Sequence, residues 1–137
     1  MYNLLLISHG NLAQEFLNTL EMIMGPQDNI LPLGLQPEEG KEDFEKRISN
    51  ACEKMYMSNG VLILADLYGG TPCNSAVLKL ISKYDKIQIL TGLNLPMLIQ
   101  SIIYRDENLE TAVLKLKQDT NDAICILNKN SFKSHED

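Results

Sequence analysis

The chain has no tryptophan and only three cysteines, Cys52, Cys73 and Cys125, an odd number without any C-x-x-C spacing. That pattern speaks against a disulfide framework and suits a reducing cytosol. Basic residues are also scarce, 12 against 18 acidic ones for a net charge of −6, and they are scattered. No stripe or arginine-rich arm is present to replace counterions on a phosphate backbone, so nucleic acid is not an expected partner. No stretch approaches the ~20 apolar residues of a membrane span. The apolar run at the start is short and lacks the basic flank and cleavage site of a secretory leader. A cytoplasmic location is the expectation. What the chain does have is 137 residues with 45% hydrophobic content. This fits one domain able to bury roughly two thirds of its unfolded surface without a staple.

Apolar runs and helical periodicities alternate along the chain. Leu4 to Ile7 read as a strand, followed by Ser8-His9-Gly10 and a helix with Leu12, Phe16, Leu20 and Ile23 at helical spacing. Gly25-Pro26 ends that helix, and Ile30 to Leu35 form a second strand, which Pro32 assigns to an edge or a late start. Acidic residues from Glu38 to Asp43 suit the next helix N-terminus, and Phe44, Ile48, Cys52 and Met55 mark its buried face. Val61 to Ala65 is the purest apolar run, too short for a helix, and reads as a central parallel strand covered on both faces.

Asp66-Leu67-Tyr68-Gly69-Gly70 forms the loop after it. Thr71-Pro72 supplies an N-cap and first-turn proline for a helix with Ala76, Val77, Leu80 and Tyr84 inward. Ile87 to Leu90 are a fourth strand, Thr91 to Asn94 a loop, and Pro96 opens a helix facing inward through Leu98, Ile99, Ile102 and Ile103. Asn108 caps a last helix containing Leu109, Ala112, Val113 and Leu116, and Ala123 to Leu127 form a final short run that can add parallel or antiparallel, within the chain or to a neighbour. Residues 129–137 read as a polar tail, with His135 solvated in it. The cysteines and most methionines read as core filler. The resulting expectation is an α/β, doubly wound, mostly parallel sheet of order 2-1-3-4 flanked by helices.

In such folds ligands gather beyond the carboxyl ends of the strands where strand order reverses, here between the first and third strands. Those ends carry His9 and Asp66. A carboxylate that accepts a hydrogen bond from one ring nitrogen fixes the tautomer, so the other nitrogen presents its lone pair as a nucleophile. Gly69-Gly70 allows close backbone approach, and the helix start at Thr71 offers unpaired amides and a hydroxyl to a phosphoryl group. Ser8 and Gly10 keep the surroundings of His9 small. Phosphoryl transfer asks mainly for alignment and charge stabilisation, so neither a metal nor another cofactor is expected. A lone histidine at a strand end is ordinarily a hydrogen-bonded turn residue, Asp66 alone a loop cap, and paired glycines mere turn punctuation. Their conjunction is what points to chemistry.

Three blocks, Ile7-Ser8-His9-Gly10, then Asp66 through Asn74, then Gly92-Leu93-Asn94-Leu95-Pro96-Met97-Leu98, together resemble the mannose-family IIA (EIIA type-4) domain of the bacterial sugar phosphotransferase system. The resemblance runs from about Tyr2 to about Leu127 and frames a domain at 1–128. It implies that His9 accepts a phosphoryl group from the phosphocarrier HPr and passes it to a IIB component that phosphorylates a sugar on import, with the membrane IIC/IID permease engaged indirectly. It also implies that Asp66 orients His9 and that the chain is a homodimer whose last strand, Ala123 to Leu127, runs antiparallel at the sheet edge and is exchanged between subunits. Thr71 stands where serine is frequent and keeps the hydroxyl, whereas Cys73 replaces a position often aromatic. The IIB partner is expected on a separate polypeptide. The resemblance reveals neither the sugar nor whether the role is transport or regulation.

Two other readings compete. A receiver-type signalling module would be phosphorylated on Asp66, but it needs acidic residues after its first strand to hold Mg²⁺, where this chain has Ser8-His9-Gly10. A non-catalytic domain would bind phosphorylated ligands through the Gly69-Gly70 loop without a covalent product.

Overall fold

The structure, a computed structural model, describes residues 1–131, so His135 and most of the expected tail lie outside the described residues. Four strands, β1 (Asn3–His9), β2 (Ile30–Leu35), β3 (Val61–Ala65) and β4 (Ile87–Thr91), alternate with helices α1 (Leu12–Met24), α2 (Lys41–Met55) and α3 (Thr71–Ala76). Two more helices, α4 (Leu95–Ile103) and α5 (Leu109–Asp122), follow β4. All four strands are parallel, in the order β2-β1-β3-β4.

The pleat explains the two cores. Leu4, Leu6, Leu62 and Leu64 point to one face, where α1, α4 and α5 contribute Ala13, Leu20, Met97, Leu98, Ala112 and Leu116. Their neighbours Leu5, Ile7, Ile63 and Ala65 point to the other, against Phe44, Ile48 and Cys52 of α2 and Cys73 and Ala76 of α3. The unbroken apolar runs Leu4–Ile7 of β1 and Val61–Ala65 of β3 have to be covered on both sides, and these strands occupy the sheet centre for that reason. The first crossover runs outward from β1 to β2 and the next two run the other way, so right-handed connections put α1 on one face and α2 and α3 on the opposite one. Pro32, paired with Leu6, lies on the edge strand β2, as its missing N–H requires. At the amino ends of the strands, Arg105 donates to the carbonyl oxygens of Tyr2, Asp28 and Asn29, a buried clasp whose desolvation pulls the guanidinium below its usual pKa. Among the described residues no helix is long and apolar enough to cross a membrane.

Several sequence expectations are corrected. Of the alternatives left open for the final run, pairing within the chain is not seen among the described residues: residues 123–127 follow α5 as irregular, exposed backbone, with Ile126 84% exposed. Val77 faces solvent, because Cys73, Ala76 and Leu80 take the inner side of a helix that continues beyond α3 as a π-helical turn, Val77–Ile81. On α1 the buried stripe passes through Ala13 and Leu20, with Phe16 and Leu17 half-buried, which turns Leu12 and Ile23 outward. Ile103 is exposed at the end of α4. The core-filler reading holds for Cys52, Cys73 and Met97; Cys125, Met1, Met22, Met24 and Met57 are exposed. Thr71 is the first helical residue rather than the cap, a place taken by Gly70. Asn108 does cap α5, accepting from the Thr111 amide at 3.0 Å.

Candidate functional site

β1 and β3 are neighbours with Ile7 opposite Ala65, so their next residues emerge side by side from the sheet. The Asp66 amide continues the ladder by donating to the Ile7 carbonyl at 3.1 Å. Its side chain then turns back towards β1, where Oδ2 accepts from the His9 amide and from His9 Nδ1, each at 2.9 Å. Oδ1 accepts from the Leu67 amide at 2.8 Å. Three donors pin the carboxylate, and an ionised carboxylate only accepts, so the proton of this bond resides on Nδ1. The other nitrogen, Nε2, then keeps its lone pair. The His9 side chain is 45% exposed while that of Asp66 is 8% exposed, so an open ring stands on a buried support.

The turn that carries His9 is built locally. Gly10 adopts a φ of +56°, a region that favours glycine. The buried Ser8 hydroxyl accepts from the Ala13 amide at 2.8 Å and so fastens the start of α1 beneath the turn. Sequence reasoning gave Ser8 only a spacing role.

The glycine loop adjoins the imidazole. A Cβ at Gly70 would lie 2.7 Å from His9 Cε1 and 3.3 Å from Nε2, so only glycine leaves room for the ring in this position. Gly69 has a φ of +83°, and its carbonyl accepts from Asn74 Nδ2 at 2.9 Å. Asn74, present in the sequence block but given no role, is thus a tie that holds the loop. Thr71, beside Gly70, is the first residue of α3. Leu67 and Tyr68 project from the same loop, Tyr68 being 89% exposed. The structure therefore brings together His9, Asp66 and Gly70 by direct contact, with Gly10, Gly69 and Thr71 adjoining them in sequence.

Residues missed by sequence reasoning stand behind this arrangement. A Cβ at Gly34, in β2, would fall 1.8 Å from the Gly10 carbonyl oxygen, and the Gly10 amide donates to Leu35 O at 2.7 Å. Nothing in the local pattern around Gly34 signals this packing.

A family model described as EIIA-man, PTS system fructose IIA component, matches residues 3–117. The chain belongs to this family. The mannose-specific EIIAB component of Escherichia coli (strain K12) is 32% identical over 101 residues, which are 74% of this chain and 31% of that protein. The chain thus spans about a third of the length of that relative. The sorbose-specific EIIA component of Lacticaseibacillus casei is 28% identical over 120 residues, covering 85% of this chain and 86% of that one. Among solved structures, a mannose/sorbose-specific IIA subunit of the phosphotransferase system from Enterococcus faecalis superposes with a TM-score of 0.84 at 30% identity, over 93% of this chain and 95% of that one. Family and fold therefore agree with the three sequence blocks, two of which, around His9 and Asp66, build the rim just described.

Proposed function

We propose that this EIIA-family chain is a phosphohistidine carrier that accepts a phosphoryl group on Nε2 of His9 from phospho-HPr and passes it to a IIB component serving sugar uptake. The observation that carries the reading is the 2.9 Å bond between Nδ1 and Asp66 Oδ2, which leaves Nε2 as the free nucleophile at an exposed rim. In the transfer, Nε2 uses its lone pair to bond phosphorus while the bond from phosphorus to the donor breaks, its electron pair staying with the donor. The Nδ1 proton remains directed at Asp66, whose carboxylate stabilises the positive charge the ring acquires. Gly10, Gly69, Gly70 and Thr71 form the surroundings of the incoming phosphoryl oxygens, with the Thr71 hydroxyl as a donor.

The reading extends to a cytoplasmic location, where phospho-HPr is met, to a functional unit spanning 1–128, and to indirect service of a IIC/IID permease. It also includes a homodimer. Exposed Ile124, Ile126 and Leu127 follow α5, and β4 ends the sheet with no strand beyond it among the described residues, so a second copy has an edge to pair with and apolar side chains to bury. The receiver alternative is disfavoured because the Asp66 carboxylate is largely buried and holds three protein donors.

Incubation with phosphoenolpyruvate, enzyme I and HPr should label one histidine in an acid-labile, base-stable bond. His9→Ala should abolish the label, and Asp66→Ala should slow transfer by ~10²–10⁴ with the fold intact. Undiminished labelling of the His9→Ala protein overturns the proposal; a hydroxylamine-sensitive label on Asp66 would favour the receiver.

A further inference from the structure

β2 is an edge strand, and its carboxyl end is the surface on which the His9 turn rests. The Gly10 carbonyl lies so close to Gly34 that no side chain fits between them, and the Gly10 amide donates to Leu35 O. An edge strand has no second neighbour to hold its end, so its last residues are prone to fray. In this chain that end is held from α2. Arg47 Nη1 donates to Gly34 O at 3.0 Å and to the two Glu39 oxygens at 2.7 and 3.0 Å. Glu39 Oε1 in turn accepts from the Gln36 amide at 3.1 Å, and Gln36 Nε2 donates to the same Gly34 carbonyl at 3.0 Å. The guanidinium carbon stands 5.9 Å from the centroid of the Phe44 ring, and Phe44 is in the core.

We infer that Arg47, with Glu39, is a positioning residue for His9. Together they clamp Gly34 and Leu35, those residues fix the Gly10 turn, and the turn sets the His9 ring against Asp66. The inference rests on the reading of His9 as the phosphoryl carrier. Arg47 itself touches neither His9 nor Asp66. An ion pair of which one partner is well exposed adds little to global stability, so the consequence of losing it falls on the turn rather than on the fold.

The test compares wild type, Arg47→Ala and Arg47→Lys by the rate of transfer from phospho-HPr, by hydrogen exchange of the Gly10 amide and by the ¹⁵N signals of the His9 ring. Arg47→Ala should raise Gly10 exchange by about tenfold through local opening. Transfer should slow roughly three- to tenfold, with kcat falling and KM unchanged, which is less than the ~10²-fold of a full ångström of misplacement. Arg47→Lys, which keeps the charge and one donor, should recover part of both. A merely structural role would lower Tm yet leave Gly10 exchange and the ring signals, measured well below Tm, as in wild type. That result, or transfer at the wild-type rate in Arg47→Ala, overturns the inference. Glu39→Gln provides the same comparison should Arg47→Ala fail to fold. If the wild-type protein takes no label, the carrier reading falls, and the clamp is then judged on Gly10 exchange and the ring signals alone.

Discussion

Gly70→Ala separates the geometry of the His9 ring from the stability of the fold. The added methyl carbon would sit 2.7 Å from Cε1, whereas carbon atoms in contact stand about 3.5 Å apart or more, so one of the two must give by about 0.8 Å. Gly70 has φ −77° and ψ 168°, a conformation alanine adopts freely, so the backbone has no reason to move. The ring moves instead. Swinging away stretches the 2.9 Å bond from Nδ1 to Asp66, while the bond from the His9 backbone amide to the same oxygen survives. An off-rotamer ring costs roughly 1 kcal/mol, and replacing glycine at a compatible site recovers about 0.4–1 kcal/mol through the unfolded state. Net stability should therefore change by less than about 1 kcal/mol, a few degrees in Tm. The rate should fall far more, by ~10²-fold for a displacement near 1 Å. Rapid-quench labelling by phospho-HPr measures the rate, and calorimetry measures Tm. Labelling at the wild-type rate, with the ¹⁵N signals of the His9 ring unshifted, would refute the reasoning; so would a loss of Tm of about 10 °C or more, since that would make Gly70 a structural requirement.

The thiols give an independent check of the core: Cys125 should react with a thiol reagent in the folded protein, and Cys52 only on unfolding. Burial pushes the Cys52 thiol up from 9.0 to about 11, so the native state favours its neutral form; the associated stability is present in full below the ordinary thiol range and is lost as pH rises from about 9 towards about 11. Denaturant titrations of wild type should show a steeper loss of stability over that interval than Cys52→Ala, and parallel curves would contradict the burial argument. Sedimentation should find a dimer in the full chain and a monomer after removal of residues 123–137; a monomeric full chain would remove the pairing proposed for the free edge of β4.

Much of this arrangement is legible in local pattern. Val61 to Ala65 has no polar position in five residues, so it admits only a strand covered on both faces, and Asp66 necessarily leaves the sheet at its carboxyl end. Asn108 reads as a helix cap and its side chain accepts the Thr111 amide, whereas Asn94, read only as a loop residue, also caps its helix by accepting the Met97 amide. Exposed faces were harder to read. Val77, Ile103 and Ile23 are apolar and continue helical stripes, yet they face solvent because hydrophobic type does not reveal which side of a short helix meets the sheet. The run from Ala123 to Leu127 has strand composition but no strand partner among the described residues, and a strand exists only by pairing.

What the sequence determined unaided is the alternation of strands and helices and the kind of group standing at each strand end, because period, caps and glycines act over a few residues. The tertiary structure alone decided that the His9 ring meets Asp66 through Nδ1, that Gly70 borders that ring, and that Gly34 and Arg47 support the turn from behind. Those relations depend on distances near 3 Å between residues far apart in the chain. Such distances are set only when strand order, crossover direction and close packing act together.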